Sequence, residues 1–497
     1  MVFTSWAFVA FFLCVLGALA LARSRTSRQL IILLSSIFFY GYWNKFYLLL
    51  LAAPSVIDYY CAIFIGASDQ PRRRKFWVVV SLVSNLGLLA YFKYANFFLS
   101  NLATWFGRDL KPLDIVLPIG ISFYTFKTLS YTIDVYRREL PACRDWWKYA
   151  MFVTYFPELI AGPIVRASVF LPQMTRSLKP SGKRALVGLE LILLGVTKKL
   201  LIADRMAVLA DAVFEHPHFF SPLTVASGVV AYSLQIYCDF SGYSDIAIGV
   251  SRIIGFDLPE NFNMPYLSMS ITEFWRRWHM TLSKWLRDYL YIPLGGNRRG
   301  RSRTYFNLML TMLLGGLWHG ANWTFVIWGG LHGLALAAHK LWVETNKERY
   351  RIPQFVSWAA TYIFVCFCWI FFRSPNFRTA AVILRKLLLL DRTGIGYFYL
   401  PLLLAIPAVV VAHALGHYLG RLATLNEGAR YIRPPQWARS LYRGSGERLA
   451  LKPHSAAGYY ILLPLPGFVG GFLVTLWLLV LYLFSSVNTN PFIYFQF

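Results

Sequence analysis

Apolar runs separated by short polar segments make up most of this chain. Many of these runs approach the ~20 residues with which an α-helix crosses a bilayer, and few polar residues interrupt them. The runs that read as spans are 1–21, 31–43, 47–65, 77–91, 113–135, 186–203, 225–254, 323–338, 357–372, 397–413 and 460–484. With the apolar second half of segment 272–333, the pattern predicts an all-α integral membrane protein: a polytopic bundle of about ten to twelve transmembrane helices in one domain, residues 1–497.

Segment 148–165 departs from this pattern. Pro157, Gly162 and Pro163 interrupt it, and Glu158 lies inside it. Non-helical backbone survives at membrane depth only where protein or water satisfies its hydrogen bonds. We therefore predict a re-entrant or interfacial segment here, not a straight span.

The charge distribution gives the bundle an orientation. The chain carries a formal net charge of +26, yet only 14% of its residues are charged, and the basic residues cluster between apolar runs at 72–75, 137–138 and 298–303. Such clusters mark cytoplasmic loops beside an anionic leaflet, so we interpret the charge as membrane topology and exclude nucleic acid as a partner. The first apolar run lacks the basic n-region of a signal peptide, which predicts an uncleaved first span with a periplasmic N-terminus.

A second polar region lies near the C-terminus, at residues 420–454. It has seven basic residues against two acidic ones, so we predict a basic cytoplasmic insert within the same domain. The basic residues are Arg421, Arg430, Arg433, Arg439, Arg443, Arg448 and Lys452.

Several familiar catalytic patterns are missing from the sequence. The six cysteines form no CxxC pair, and His413 and His417 lack the glutamate of a metalloprotease helix, so we predict no metal site. There is no GxSxG, Walker or Rossmann motif. We interpret Asp239 and Asp245 as helix-packing anchors in a polar interior, with a functional role as the alternative.

His319 is the strongest single candidate for chemistry. It stands in GGLWHGAN, where Gly315, Gly316 and Gly320 would let a backbone or a substrate approach closely. An ionisable side chain in an apolar span needs a partner or a function, and a neutral histidine can act as general base on a hydroxyl. The alternative is a packed histidine bonded to a neighbouring carbonyl, and we interpret His332 as an interior or interfacial residue, not a ligand.

His279 lies on the other flank of the same basic loop. It shares its aromatic-rich segment with Arg276 and Arg277, while Arg298 and Arg299 follow a Gly-Gly turn. Those cations could hold the phosphates of a donor such as coenzyme A, or they could anchor an interfacial helix with tryptophans at the headgroup level. We interpret His339, further along, as interior or interfacial. Two histidines flanking one basic loop predict a site at the cytoplasmic membrane boundary.

Several motifs resemble a known family. FWRRWHMTLSKWLRDYLYIPLGGNRRG at 274–300 and LGGLWHGANWTFVIWGGLHG at 314–333 are similar to the membrane-bound O-acyltransferase superfamily, most closely its alginate O-acetyltransferase branch. PELIAGPIVR at 157–166, YCDFSGYSD at 237–245 and PFIYFQF at 491–497 resemble the same branch. The resemblance implies helices arranged around a central tunnel.

The same resemblance implies residue roles and a reaction. His319 would be the essential histidine that takes the proton from an acceptor hydroxyl, and His279 would be among the polar neighbours that stabilise the oxyanion. The donor would be cytoplasmic acetyl-CoA, acting as a substrate and not as a resident cofactor. The acceptor would be an exported polysaccharide such as alginate, or a periplasmic SGNH-type acetyltransferase partner, and the protein would lie in the bacterial inner membrane.

Two other classes stay open at this point. A secondary transporter would also show broken helices and intramembrane charges, but paired repeats are not evident. A structural subunit of an export complex would not need both histidines. Within the superfamily, acyl or D-alanyl transfer to a lipid or a teichoic-acid-type acceptor is the alternative reaction.

Overall fold

The protein is helical throughout the described part of the chain. The computed structural model describes residues 1–159, 162–175, 182–346, 350, 352–425, 468–485 and 492–493. Apart from one isolated bridge between Phe220 and Ile395, the regular secondary structure of these residues is helix. The prediction of an all-α fold is confirmed.

Twenty α-helices form the described bundle, and π-helical turns extend several of them. The α-helices are Trp6–Leu21, Arg25–Gly41, Tyr47–Gly66, Pro71–Leu89, Ala95–Phe106, Ile121–Tyr136, Trp146–Thr154, Phe156–Leu159, Ala167–Phe170, Gly182–Thr197, Asp204–Glu215, Pro222–Ile254, Ile271–Arg277, Met280–Leu286, Arg301–His319, Trp323–Asn346, Gln354–Arg373, Phe377–Leu387, Leu400–Leu425 and Phe468–Phe484. The π-helical turns are Ala90–Tyr94, Lys198–Ala203 and Arg287–Tyr291, and the 3-10 turns are Leu171–Thr175, Pro217–Phe219 and Pro265–Leu267.

Three described helices are long and apolar enough to cross a membrane by themselves: Tyr47–Gly66, the continuous helix Pro71–Phe106, and Gln354–Arg373. Shorter apolar helices are Trp6–Leu21, Leu400–Leu415 and Gly471–Phe484. The predicted spans agree best at 47–65 and 357–372.

The predicted span 113–135 was wrong in its first part. The helix begins only at Ile121, because Gly107 and Gly120 both have positive φ, at 59° and 78°, and the backbone between them is not helical. At Gly120 an added Cβ would lie 2.5 Å from the carbonyl oxygen of Leu159, so this position accepts no side chain.

The prediction that segment 148–165 is not a straight span is confirmed. Its described residues form the helix Trp146–Thr154, the single turn Phe156–Leu159 and a non-helical stretch at 162–166 before Ala167–Phe170. Glu158 is buried here and accepts a hydrogen bond from the buried Lys127 ammonium at 2.8 Å. A buried carboxylate is tolerated only when it is paired, so this ion pair holds the broken segment inside the protein.

Close backbone contact joins the two helices on either side of residue 320. A Cβ added to Gly316 would lie 2.2 Å from the Phe325 carbonyl oxygen, and one added to Gly329 would lie 2.2 Å from that of Met312. Small residues of this kind let membrane helices approach each other closely. The glycines around His319 therefore serve helix packing in the first place.

A buried polar network ties three early helices together. The Asp58 carboxylate accepts hydrogen bonds from the Ser81 hydroxyl at 2.6 Å and from the Asn85 amide at 2.7 Å. The Thr128 hydroxyl donates to the Asn85 side-chain oxygen at 2.9 Å. Every polar group that these contacts join is buried, so the network fixes how the three helices pack.

Arg74 fastens the same helices at one end. It lies in the basic cluster 72–75 but is buried, and its guanidinium donates to the carbonyls of Ile65, at 2.6 Å, and Tyr136, at 2.7 Å. Those carbonyls stand at the C-termini of two helices, where a cation complements both the unsatisfied oxygens and the helix dipole. Arg74 is thus a structural cap and not a free surface charge.

Arginines from three segments of the chain surround Asp288. Arg137 donates to the backbone carbonyl of Asp288 at 3.0 Å, and Arg166 forms an ion pair with the Asp288 carboxylate. Burial alone would raise the pKa of Asp288, but hydrogen bonds from Arg287 and Arg166 lower it below its ordinary value. The carboxylate therefore stays charged as the centre of an arginine cluster beside the loop at 292–300.

The two aspartates of YCDFSGYSD have partners. Asp239 pairs with the buried Lys199 at 2.8 Å, and Asp245 pairs with Lys198 at 2.6 Å. Both lysines lie in the π-helical turn packed against the aspartates' helix. The interpretation of Asp239 and Asp245 as packing anchors is confirmed. The Asp239 carboxylate also accepts from the backbone N–H of Ile493 at 2.7 Å, and so holds a residue near the C-terminus.

The predicted insert at 420–454 lies largely outside the described residues. Its first residues, to Leu425, continue the helix Leu400–Leu425.

Candidate active site

His279 interrupts what the sequence reads as one amphipathic element. The helix Ile271–Arg277 ends before it and Met280–Leu286 begins after it, and His279 itself has φ 40° and ψ 54°. This left-handed conformation costs a residue with a Cβ roughly 1–2 kcal/mol. Strain of this kind is held in place only by its surroundings and is frequent at functional sites.

Asn261 determines which ring nitrogen of His279 carries the proton. Its side-chain oxygen accepts from the Thr281 backbone N–H at 3.3 Å and from the Thr281 hydroxyl at 2.8 Å, so this atom acts as an acceptor. The same oxygen lies 3.1 Å from Nδ1 of His279, which must therefore carry the proton. In the neutral ring, Nε2 then bears the lone pair, and it has no hydrogen-bond partner among the described residues.

His319 is the last residue of the helix Arg301–His319, not a residue inside a continuous span. Gly320 is extended and ends the helix, and a Cβ there would lie 2.1 Å from the ring of Phe325, so no side chain fits. The Asn322 side-chain oxygen then accepts from the Thr324 backbone N–H at the start of the next helix. The histidine is 5% exposed. Its position is thus set by a helix end.

A lysine and a tyrosine from a distant helix hold that helix end. The Lys93 ammonium donates to the carbonyls of Trp318 at 2.6 Å and His319 at 3.0 Å, and the Tyr94 hydroxyl donates to the carbonyl of Leu317 at 2.9 Å. A cation at a helix C-terminus satisfies the free carbonyls and complements the dipole. The backbone of His319 is therefore fixed independently of its side chain.

Aromatic rings enclose both histidines. The Trp318 ring centroid lies 4.9 Å from that of His319 and 6.5 Å from that of His279, so both imidazoles are neighbours of this indole. The rings of Trp328, at 5.1 Å, and Phe372, at 5.2 Å, also pack edge to face against His319. These rings exclude water and lower the local dielectric constant, which strengthens polar interactions inside the site.

Two of these rings carry an unused donor. The indole N–H groups of Trp318 and Trp328 are buried, and neither has a hydrogen-bond partner in the described part of the chain. A buried tryptophan usually finds a partner for this group. Donors next to a histidine pair suit an oxygen atom that gains negative charge during a reaction.

The four arginines proposed to hold the donor differ in their surroundings. Arg277 is bound to Glu273, with an ion pair of 2.9 Å, whereas Arg276, Arg298 and Arg299 are exposed. Arg276 stands three residues before His279. The Gly-rich loop with Arg298 and Arg299 precedes the helix that ends at His319, and 19 residues of helix span about 28 Å.

This separation concerns His319, which lies at the far end of the helix that the loop begins. His319 is therefore about one helix length away from the loop at 292–300, while His279 lies on the segment that leads into that loop. The site at the cytoplasmic membrane boundary stays a prediction.

Three further histidines have other surroundings. His332 is fully buried among aromatic rings and accepts from the Trp275 indole N–H at 3.3 Å, while His339 contacts the Thr272 hydroxyl at 2.9 Å. His413 lies 2.9 Å from the Val409 carbonyl of its own helix. Among the described residues, no group of histidines, cysteines and carboxylates could hold a metal ion.

Sequence reasoning missed Asn261, Lys93 and Trp328 as parts of the site. Asn261 lies in a loop, and its role depends on a left-handed histidine 18 residues later. Lys93 is 226 residues from His319, although a lysine at the end of a long apolar run is a detectable signal.

Comparison with known proteins identifies the class. The sequence model of the membrane-bound O-acyltransferase family matches residues 136–377, which include both histidines. The chain is 45% identical over 387 residues to a probable alginate O-acetylase AlgI of Pseudomonas aeruginosa, covering 76% of this chain and 73% of that protein. It is 38% identical over 393 residues to a peptidoglycan O-acetyltransferase of Helicobacter pylori, covering 74% and 75%.

A more distant relative is named for a different activity. The chain is 29% identical over 290 residues to a teichoic acid D-alanyltransferase of Bacillus subtilis, covering 54% of this chain and 71% of that protein. The helical fold, the buried histidine pair and these similarities define an enzyme of the O-acyltransferase class. The chain belongs to the membrane-bound O-acyltransferase family.

Proposed function

We propose that this enzyme transfers acetyl groups from cytoplasmic acetyl-CoA to the hydroxyls of an exported polysaccharide. The observation that carries the proposal is that two buried histidines, His279 and His319, both lie next to the Trp318 ring. Relatives named for alginate and peptidoglycan O-acetylation support a polysaccharide acceptor.

The reaction needs one proton acceptor and one stabilised oxyanion. His319 takes the proton of the acceptor hydroxyl while the hydroxyl oxygen attacks the thioester carbonyl carbon. The carbon–sulfur bond then breaks, and the protonated imidazole returns the proton to the thiolate. The Asn261 contact leaves His279 with a lone pair on Nε2, which accepts a hydrogen bond from a second hydroxyl of the acceptor sugar and so orients the attacking hydroxyl, whose single proton goes to His319. In this tautomer neutral His279 cannot donate from Nε2, so the oxyanion role expected for it passes to another group.

That group is the indole N–H of Trp318. It is a buried donor without a partner among the described residues, and its ring contacts both imidazoles. The N–H of Trp328, whose ring also packs against His319, is a second candidate. Fixed donors in a dry site are effective because they need no reorganisation when charge develops.

The membrane arrangement follows from the basic clusters. With the clusters at 72–75, 137–138 and 298–303 in the cytoplasm of a bacterium, His319 lies about a helix length inward, and the N-terminus is periplasmic. The thioester must then enter the protein to reach it. This supports a bundle of about ten to twelve inner-membrane helices around a central tunnel.

Cysteine labelling tests this topology. Single cysteines introduced at Arg73, Arg138 and Arg303 should resist an impermeant maleimide in intact cells and react after lysis, because all three loops lie in the cytoplasm. A cysteine at Asn322, which follows the far end of the His319 helix, is the matched position expected to react without lysis. Labelling of any of the three basic-loop cysteines in intact cells would contradict the orientation.

The acceptor hydroxyl can belong to either of two molecules. The hydroxyl belongs either to the polysaccharide itself or to a serine of a periplasmic SGNH-type partner that completes the transfer. D-Alanyl transfer is the second candidate reaction, and the D-alanyltransferase relative favours it at lower identity and coverage than the acetylation enzymes.

An assay with purified protein tests the enzyme itself. In lipid nanodiscs, the protein should release coenzyme A from radiolabelled acetyl-CoA when a hydroxyl acceptor is present, with the label appearing in an ester. Equal release from the wild-type and His319→Ala proteins would contradict the proposal. Transfer of D-alanine from a thioester carrier, with no acetyl transfer, would favour the second reaction.

A charge-retaining arginine scan tests the donor contacts. If Arg276, Arg298 or Arg299 holds a phosphate of acetyl-CoA, replacement by lysine removes the bidentate fork but keeps the charge. We expect the KM for acetyl-CoA to rise, most at Arg276, by an amount equivalent to about 1–3 kcal/mol. Arg277→Lys is the internal reference, because Glu273 already occupies that guanidinium. Unchanged KM values in all four variants would leave these residues as membrane anchors.

A further inference from the structure

An open groove of about 390 Å³ lies next to the end of the His319 helix. One wall is a face of the helix Ala95–Phe106, with Asn96, Ser100 and Thr104 on successive turns. The other wall is the short connection from Ala321 to Trp323, which begins two residues after His319.

One set of contacts fixes both the groove and the histidine. The helix Ala95–Phe106 follows directly on Lys93 and Tyr94, which hold the carbonyls at the end of the His319 helix. The groove wall therefore cannot move far without moving the backbone of His319. This connects binding in the groove to the position of the candidate base.

The groove has an aromatic platform that is held in place. The Trp323 indole N–H donates to the side-chain oxygen of Asn101 at 2.8 Å, and its ring lies 5.6 Å from that of Phe97. Trp323 is nevertheless 47% exposed. A rigid, exposed aromatic face accepts the apolar face of a ring-shaped ligand.

The polar groups around this platform are hydroxyls and amides. The hydroxyls of Ser100 and Thr104 donate to carbonyls of their own helix, at 3.0 and 2.9 Å, so their oxygens remain available as acceptors. Asn322 is held in place from the opposite wall, donating to the Pro375 carbonyl at 2.9 Å. Of the described residues that line the groove, none is charged.

From these features we infer that the groove binds a neutral sugar residue of the acceptor glycan. A sugar ring offers C–H groups on its face to Trp323 and hydroxyl donors on its edge to Ser100 and Thr104. An anionic phospholipid headgroup would require basic side chains, which the described lining of the groove lacks. An acyl chain could use none of the free acceptor capacity of the Ser100 and Thr104 hydroxyl oxygens. The inference rests on the proposed function, because the bound sugar would be the acceptor whose hydroxyl is directed toward His319.

Direct binding tests the inference without any catalysis. The protein in nanodiscs is titrated into a fluorescently labelled neutral tetrasaccharide of glucose, with a tetrasaccharide of mannuronate as the anionic probe and no acetyl donor. We expect binding of the neutral probe that weakens about tenfold in Trp323→Ala and in the double variant Ser100→Val/Thr104→Val. Trp323→Phe should keep most of the affinity, because it preserves an aromatic face.

Two controls separate the possible failures. Trp105 is an exposed tryptophan on the same helix but outside the groove, so Trp105→Ala should bind like the wild type. His319→Ala should also bind normally, so failure of the proposed chemistry would not affect this result. Unchanged binding in the groove variants, or tighter binding of mannuronate that depends on these residues, would overturn the inference. Loss of acetyl transfer in the groove variants with sugar binding unchanged would also overturn it, and would assign the groove to a protein partner.

Discussion

His319→Ala is expected to abolish acetyl transfer while the protein stays folded in the membrane. Removal of a general base lowers a rate by about 10²–10⁴-fold, and the dry aromatic surroundings leave little room for water to take over its role. The fold should survive because Lys93 and Tyr94 bind backbone carbonyls and do not depend on the imidazole. The measurement is the initial rate of ester formation, with monodispersity in detergent as the test of folding.

His413→Ala is the matched control for this variant. His413 is also a buried imidazole, but it lies on another helix and contacts the carbonyl of Val409. It should therefore lose some stability and little activity. Normal polysaccharide acetylation in cells that express His319→Ala at the wild-type level would refute the role of His319.

Trp318→Phe is expected to lower kcat about 10²-fold with little change in either KM. The substitution keeps an aromatic ring against Phe126, whose ring lies 5.0 Å away, but it removes the indole N–H. Loss of one preorganised oxyanion donor costs on the order of 10²–10³-fold in rate. Trp328→Phe, assayed beside it, shows which of the two indoles supplies the donor.

Trp285→Phe is the matched control in the same aromatic stack. Trp285 stacks on Phe126 at 3.7 Å, but its N–H already donates to the Phe126 carbonyl at 3.1 Å. Its loss should lower stability without a selective effect on kcat. If both Trp318→Phe and Trp328→Phe keep wild-type kcat, neither indole is the oxyanion donor.

The sequence predicts the fold class well because lipid leaves few choices. A spanning segment must satisfy its backbone internally, so apolar length alone identifies the helices at 47–66 and 354–373. The break at 148–165 was also predictable, because prolines and an internal glutamate mark it. The start of the helix at Ile121 was not predictable, because apolar residues precede it. Only the positive φ of Gly120 shows where the helix begins.

The site was predictable in its residues but not in its geometry. Both His279 and His319 stand in motifs that the sequence shows. The left-handed conformation of His279, however, could not be predicted, because neither glycine nor proline stands beside it. Its tautomer depends on Asn261, which packing alone brings near. Nearness along the chain also hides distance, because a whole helix separates His319 from the basic loop.

The contacts of Arg74 and Asp58 bear on how this protein is made. All partners of these two residues, from Ile65 to Tyr136, lie within the first third of the chain. The three helices they join can therefore assemble while the ribosome is still synthesising the segment that carries His279 and His319. When the segment with the two histidines enters the bilayer, the helices that carry Lys93, which holds the His319 backbone, would already be folded there.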